Sequence, residues 1–236
     1  MTALKNWDNK TWLSSKRYIH SFINFLTKQT KLNKNSIILD IGCGRGKIIG
    51  SLSDKLKLIN KPIGIDIENH KDKSKKMIFK KIDALSFVSN TKINFDLILI
   101  KQTIHLLKKN QIINLISICQ NKLNKNGKII VSSIDYINNE IPTFTLMKKK
   151  LDHSLKRDKK IFDSIFLTDP KIVIKKFIFQ VKISKTKYLK MIKNRYISTL
   201  LNFTNKQIEV GLNQVKENYK KNLTFRDKLI CFIIMK

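Results

Sequence analysis

The sequence predicts an α/β protein: a doubly wound, mostly parallel sheet of seven strands, with an antiparallel strand at its carboxyl end and added helical elements. Three observations carry this expectation. Short apolar runs alternate with longer amphipathic stretches across residues 37–134. Runs such as "SIILDI", "FDLILI" and "GKIIVSSI" are apolar on both faces, as parallel strands covered by helices on both sides must be. The chain closes on "DKLICFIIMK", so hydrophobic that it belongs inside the sheet.

Residues 1–35 read as a helical cap. Leu13, Tyr18, Ile19, Phe22, Ile23, Phe25 and Leu26 recur at helical spacing, with Ser14 and Ser15 as candidate caps of a helix over 14–30. Residues 36–134 then alternate strands at 37–41, 63–67, 77–82, 95–100 and 128–134 with helices at 47–58 and 109–122. A mainly helical insertion over 135–170 interrupts the sheet and is long enough to serve as a lid. The remainder, 171–236, resumes as a strand over 171–184, passes through helices at 188–201 and 205–220, and ends in the final strand. A single domain of 236 residues accommodates all of these.

The formal charge is +31, from 48 Lys and Arg against 17 Asp and Glu. Only five of the basic residues are Arg, the charge is spread without a tail, and no aromatic-interleaved basic motif accompanies it. Abundant Lys, Ile and Asn fit an AT-rich coding sequence. Nucleic acid is therefore an allowed but not a favoured partner, and an acidic carrier protein suits the same field. Cys43, Cys119 and Cys231 are odd in number and far apart, as expected of reduced thiols, with no metal-ligand spacing. No window approaches the roughly 18 apolar residues of a membrane span, and "MTALKNWDNKTW" lacks the apolar core of a signal peptide. The expectation is a soluble, cytoplasmic protein.

The chemistry concentrates in "LDIGCGRGK", where Asp40, Gly42, Gly44 and Gly46 alternate with other residues directly after the first strand. A glycine-rich loop between strand and helix lets backbone approach a ligand closely. It is not a Walker A loop, because Ile41 stands in place of the first glycine and Ile48 in place of the magnesium-binding hydroxyl. Nor does it match Gly-x-Gly-x-x-Gly, and a carboxylate at Asp40 opposes a pyrophosphate. Asp40 suits a ligand with a cationic end. Asp66 ends the second strand, "KPIGIDI", where an acid can accept both hydroxyls of a ribose.

In these residues the chain resembles the class I S-adenosylmethionine-dependent methyltransferases. The resemblance covers about 37–134 through "ILDIGCGRG", "GIDI", "FKKIDAL", "FDLILIKQTIHLL" and "LNKNGKIIVSS", in that order. It implies a Rossmann-like fold and S-adenosylmethionine as cofactor. Carried over by position, it implies that the loop of Gly42, Cys43, Gly44 and Gly46 packs against the methionine part and that Asp40 supports its amino group. Asp66 would take the ribose hydroxyls and Ile67 would flank the adenine. Asp83 would accept from the exocyclic amine, Ala84 would contact the ring through its backbone, and Lys101 would offer its carbonyl to the ammonium.

Methyl transfer from a sulfonium needs alignment first, worth roughly 7–11 kcal/mol, and a base only second. His105, in "KQTIHLL", is the candidate base, with a structural role as the alternative. His20, His70 and His153 lack motif context and read as surface groups. Trp12 and Tyr18 are candidates to line the acceptor pocket, with helix packing as the alternative. The segment "KYLKMIKNRYISTLLNF" is similar to the one before the last strands of trans-aconitate-type methyltransferases, where Arg195 would face a carboxylate; a surface or inter-helix ion pair is its alternative. The function expected is methylation of a small molecule at a carboxylate or hydroxyl oxygen. An RNA or carrier-protein methyltransferase is the runner-up, although "IKQT" replaces the Asn/Asp-Pro-Pro-Tyr motif of amino-directed nucleic-acid enzymes. A non-catalytic binding module is the third reading.

Overall fold

The computed structural model describes residues 11–167 and 169–236, so residues 1–10 of the expected cap and Thr168 of the expected insertion lie outside the described residues. Its seven-stranded sheet has the order β3-β2-β1-β4-β5-β7-β6. β1 (Ile38–Ile41) runs parallel to β2 (Ile63–Asp66) on one side and to β4 (Phe95–Lys101) on the other. β3 (Ile78–Lys81) joins β2, and β5 (Leu123–Ile134) joins β4, both in parallel. β7 (Asn222–Met235) is inserted antiparallel between β5 and β6 (Val173–Ser184), so the hydrophobic last strand is interior. The chain winds outward through β1, β2 and β3 and then crosses back to β4, which makes the ends of β1 and β4 the topological switch point.

Period-two alternation explains the two cores. On β4, Leu97 and Leu99 face one layer while Ile98 and Ile100 face the other; on β7, Leu229, Cys231 and Ile233 oppose Ile230, Phe232 and Ile234 in the same way. The first layer holds α1 (Lys16–Gln29), α2 (Lys47–Leu56), α6 (Lys185–Lys193) and α7 (Asn205–Asn218), and the second holds α3 (Ala84–Asn90) and α4 (Lys109–Asn121). The Ser15 side chain starts α1 by accepting the Tyr18 amide at 3.2 Å. Tyr18 and Phe22 then pack edge-on against Phe177 of β6, with ring centres 5.6 and 5.0 Å apart. On the edge strand β6, exposed Lys175, Lys176 and Lys182 discourage pairing with another chain.

The structure departs from the sequence expectations in three places. The segment expected as a lid is one 22-residue helix, α5 (Thr145–Phe166), and its second half belongs to the sheet's second layer. Phe166 stacks on Phe232 of β7 at 4.3 Å and Phe162 meets the same ring at 5.9 Å, so burial of this apolar stripe makes α5 a wall rather than a cover. The helix expected over 188–201 is broken: α6 ends at Lys193, Arg195 takes a left-handed φ of 50°, and a 3₁₀ turn follows at Ser198–Leu200. α3 was too short for its periodicity to register. Among the described residues, no helix is long and apolar enough to cross a membrane.

Candidate active site

Gly42, Gly44 and Gly46 all have positive φ, of 70°, 53° and 62°. Two of them show why glycine is required. A Cβ on Gly42 would run into the Thr103 side chain beyond β4, whereas a Cβ on Gly44 would project into open space. The loop amides are already committed: those of Gly42 and Cys43 donate to the Ile65 carbonyl at 2.9 and 3.0 Å, that of Gly44 to Asp66 Oδ2 at 2.9 Å, and that of Gly46 to the Cys43 carbonyl at 2.8 Å. These four amides are therefore not free to cradle a phosphate as those of a nest or P-loop are. Cys43 packs over Gly64 of β2, and burial pushes its thiol far up, so it is an inert filler.

Two carboxylates flank this loop. Asp40 is 5% exposed, and burial pushes its carboxyl up to about 8; Lys101 opposes the rise and Asp66 adds to it. Such a group becomes an anion readily only when a cation arrives beside it. Asp66 behaves oppositely. Burial would raise it, but His70 and the Glu68 and Gly44 amides outweigh that and hold it below the usual carboxylate range. Its Oδ1 accepts the Glu68 amide at 2.9 Å, and His70 Nε2 lies 3.5 Å from its Oδ2. His70 is buried, which corrects its assignment to the surface. Its one signal was the spacing of four residues from a strand-end acid.

The remaining candidates on the ligand side of the loop form a rim. Ile67, next after β2, is 62% exposed, a large apolar side chain left open beside polar groups. Asp83 caps α3 by accepting the Ser86 amide on Oδ1 at 3.1 Å, and Ala84 begins that helix. Lys101 closes β4; its carbonyl accepts from Thr103 Oγ1 at 3.1 Å, and its ammonium stands 5.2 and 5.4 Å over the rings of Tyr18 and Phe22.

His105 lies in a 3₁₀ turn, Ile104–Leu106, against α5. Its carbonyl accepts from Arg157 Nη2 at 3.0 Å. Burial lowers the imidazole pKa, with Asp158 raising it and Arg157 lowering it further, so the ring is neutral near pH 7 and packed against the α5 wall. Trp12 and Tyr18 do not line an open pocket; both are buried, and Trp12 Nε1 donates to Asp227 Oδ2 of β7 at 3.0 Å. Arg195 is corrected as well. Its Nη2 bonds to the Phe203 carbonyl at 2.9 Å and to Asn205 Oδ1 at 3.0 Å, so its fork braces the turn between α6 and α7 instead of awaiting a carboxylate.

No protein-family model and no curated protein matches the chain. Solved structures do. A candidate methyltransferase of an antibiotic biosynthesis pathway from Anabaena variabilis ATCC 29413 aligns with a TM-score of 0.63 at 15% identity, over 89% of this chain and 95% of that one. The plantazolicin methyltransferase BpumL, solved with a pentazolic desmethylPZN analog and SAH, aligns at 0.53 and 17% identity over 98% and 88%. The precorrin-6y C5,15-methyltransferase of Geobacter metallireducens GS-15 aligns at 0.50 and 8% identity over 94% and 90%.

The chain has the class I methyltransferase fold.

Within this methyltransferase fold the switch point brings together Asp40, the glycine loop, Asp66 and Lys101. The His105 carbonyl is held by Arg157 of α5, and Arg195 serves the α6–α7 turn. Asp227 escaped notice in the sequence, although it is the single acid in the inward row Leu223, Phe225, Asp227, Leu229, Cys231 and Ile233 of the last strand.

Proposed function

We propose that this chain is an S-adenosylmethionine-dependent methyltransferase acting on an oxygen of a small molecule. The observation that carries it is the loop at the end of β1: its Gly42, Cys43, Gly44 and Gly46 amides are spent on Ile65, Cys43 and Asp66, and the carboxyls of Asp40 and Asp66 flank it. Such a seat rejects a polyphosphate and favours a cationic amino-acid nucleoside. The residues present fit that group: Asp40 holds the ammonium, Asp66 the ribose diol, and exposed Ile67 offers an apolar face to the adenine. The open space beyond Gly44 leaves room for close backbone contact.

S-adenosylmethionine supplies an activated methyl on a sulfonium. The protein's part is to orient and to exclude water, and the α1 residues Tyr18 and Phe22, stacked over the end of β4, shield that region from solvent. The likeness to the solved methyltransferases supports the reading through the fold.

Calorimetry with S-adenosylmethionine and S-adenosylhomocysteine tests it. Binding in the micromolar range, lost in Asp66→Ala, is expected; no detectable binding by the wild type overturns the proposal. Binding without labelled-methyl transfer to any of a panel of small acids, alcohols, carrier proteins and RNA would favour the binding-module reading. A macromolecular acceptor has one specific observation behind it: α5 exposes Lys148, Lys149, Lys150, Lys156, Lys159 and Lys160 along its outer face. Label in RNA or a carrier protein alone would select that reading.

A further inference from the structure

Gln102, the first residue past β4, takes a left-handed φ of 52°. Glycine adopts that conformation freely, whereas a glutamine is strained in it, and such strain persists where the rest of the structure enforces it, often at a functional site. The enforcement is visible on both sides. The Gln102 amide donates to the Ser132 carbonyl of β5 at 2.7 Å, and Thr103 Oγ1 donates to the Lys101 carbonyl at 3.1 Å. Thr103 also lies against Gly42, its Oγ1 3.5 Å from that carbonyl, so Gln102 stands one residue from the glycine loop at the switch point.

The Gln102 side chain is held by one end. Its Oε1 accepts from Lys101 Nζ at 2.9 Å, and that ammonium is itself fixed over the rings of Tyr18 and Phe22. The Nε2 end has no hydrogen-bond partner among the described residues, although the side chain is half-buried and not sealed in the core. The Lys101 charge polarises the carboxamide and makes its N–H groups better donors. The two acids in reach of that charge, Asp40 and Asp227, are both pushed by burial toward their neutral forms. The end of β4 therefore presents an amide donor backed by a cation.

We propose that the Gln102 carboxamide, backed by Lys101, binds the methyl acceptor, and that the acceptor's reacting group is a carboxylate. The proposal rests on the methyltransferase reading and narrows its acceptor oxygen. Gln102 Nε2 donates to one carboxylate oxygen. A lone pair of the other oxygen forms the O–CH3 bond as the C–S bond breaks and its electron pair passes to sulfur. A neutral ester and S-adenosylhomocysteine result, and no proton moves, so this acceptor needs no base. An alcohol would have to lose a proton, and an ammonium would meet Lys101 as a like charge.

The test uses the full chain loaded with S-adenosylhomocysteine, with benzoate, hexanoate and succinate, each beside its uncharged amide, as probes in saturation-transfer NMR titrations. Wild type is expected to bind at least one acid about tenfold more tightly than its amide. Gln102→Glu, which keeps the shape but replaces the donor by a like charge, should abolish that preference and leave S-adenosylhomocysteine affinity unchanged. Gln102→Gly, which relieves the strained φ and deletes the donor, should weaken the acid several-fold with a Tm no lower than that of the wild type. No acid bound better than its amide by the wild type, or a preference that survives in Gln102→Glu, overturns the proposal. A lower Tm in Gln102→Gly with the preference intact assigns Gln102 a structural role and overturns it too. Failure of the wild type to bind S-adenosylhomocysteine is instead a failure of the methyltransferase reading.

Discussion

The Gly44 amide donates to Asp66 Oδ2 at 2.9 Å, so the loop after β1 and the acid after β2 form one unit. Asp66→Ala should therefore both remove the group proposed for the ribose and release the loop. Two charge-assisted hydrogen bonds lost at about 1.5 kcal/mol each amount to a loss of roughly 100-fold in cofactor affinity. Calorimetry reads the loss directly, and wild-type affinity in this variant would remove Asp66 from the site.

The glycines separate folding from binding. Gly42→Ala should destabilise the protein by more than about 1 kcal/mol, since the new Cβ meets Thr103 in a backbone conformation that already strains it. Gly44→Ala faces open space and should cost only the positive φ, about 1 kcal/mol, while weakening S-adenosylhomocysteine at least tenfold. Denaturant melts beside binding isotherms check the contrast.

Asp40 gives affinity a pH dependence. Its carboxyl, raised to about 8, is protonated at lower pH, and an ammonium binds its anion. Affinity should rise with pH by up to about tenfold per unit below that point. Near and above pH 8 the ligand's own α-amino group, with a pKa of about 7.7–8.0, loses its proton and ends the rise. Asp40→Asn should abolish the rising limb in titrations from roughly pH 6 to 9.

Arg195→Ala should lower stability by about 1 kcal/mol, a value discounted for its partial exposure, and leave cofactor and acceptor binding intact. Reduced acceptor affinity with unchanged stability would return Arg195 to the pocket.

Apolar runs with both faces covered made the parallel strands legible, and alternating glycines between two strand-end acids made the loop legible, because both patterns are local. Less was legible wherever a partner far along the chain decides the outcome. The turn at Arg195 is set by Phe203 and Asn205, and the seating of α5 by Phe232. The sequence by itself determined the α/β alternation, the interior last strand and a glycine loop set between two strand-end carboxyls. Only the tertiary structure decided that His70 backs Asp66, that α5 is a wall, and that Trp12, Tyr18 and Asp227 meet. The crossover from β3 to β4 and the antiparallel insertion of β7 set which strand ends converge, and no local pattern encodes that convergence.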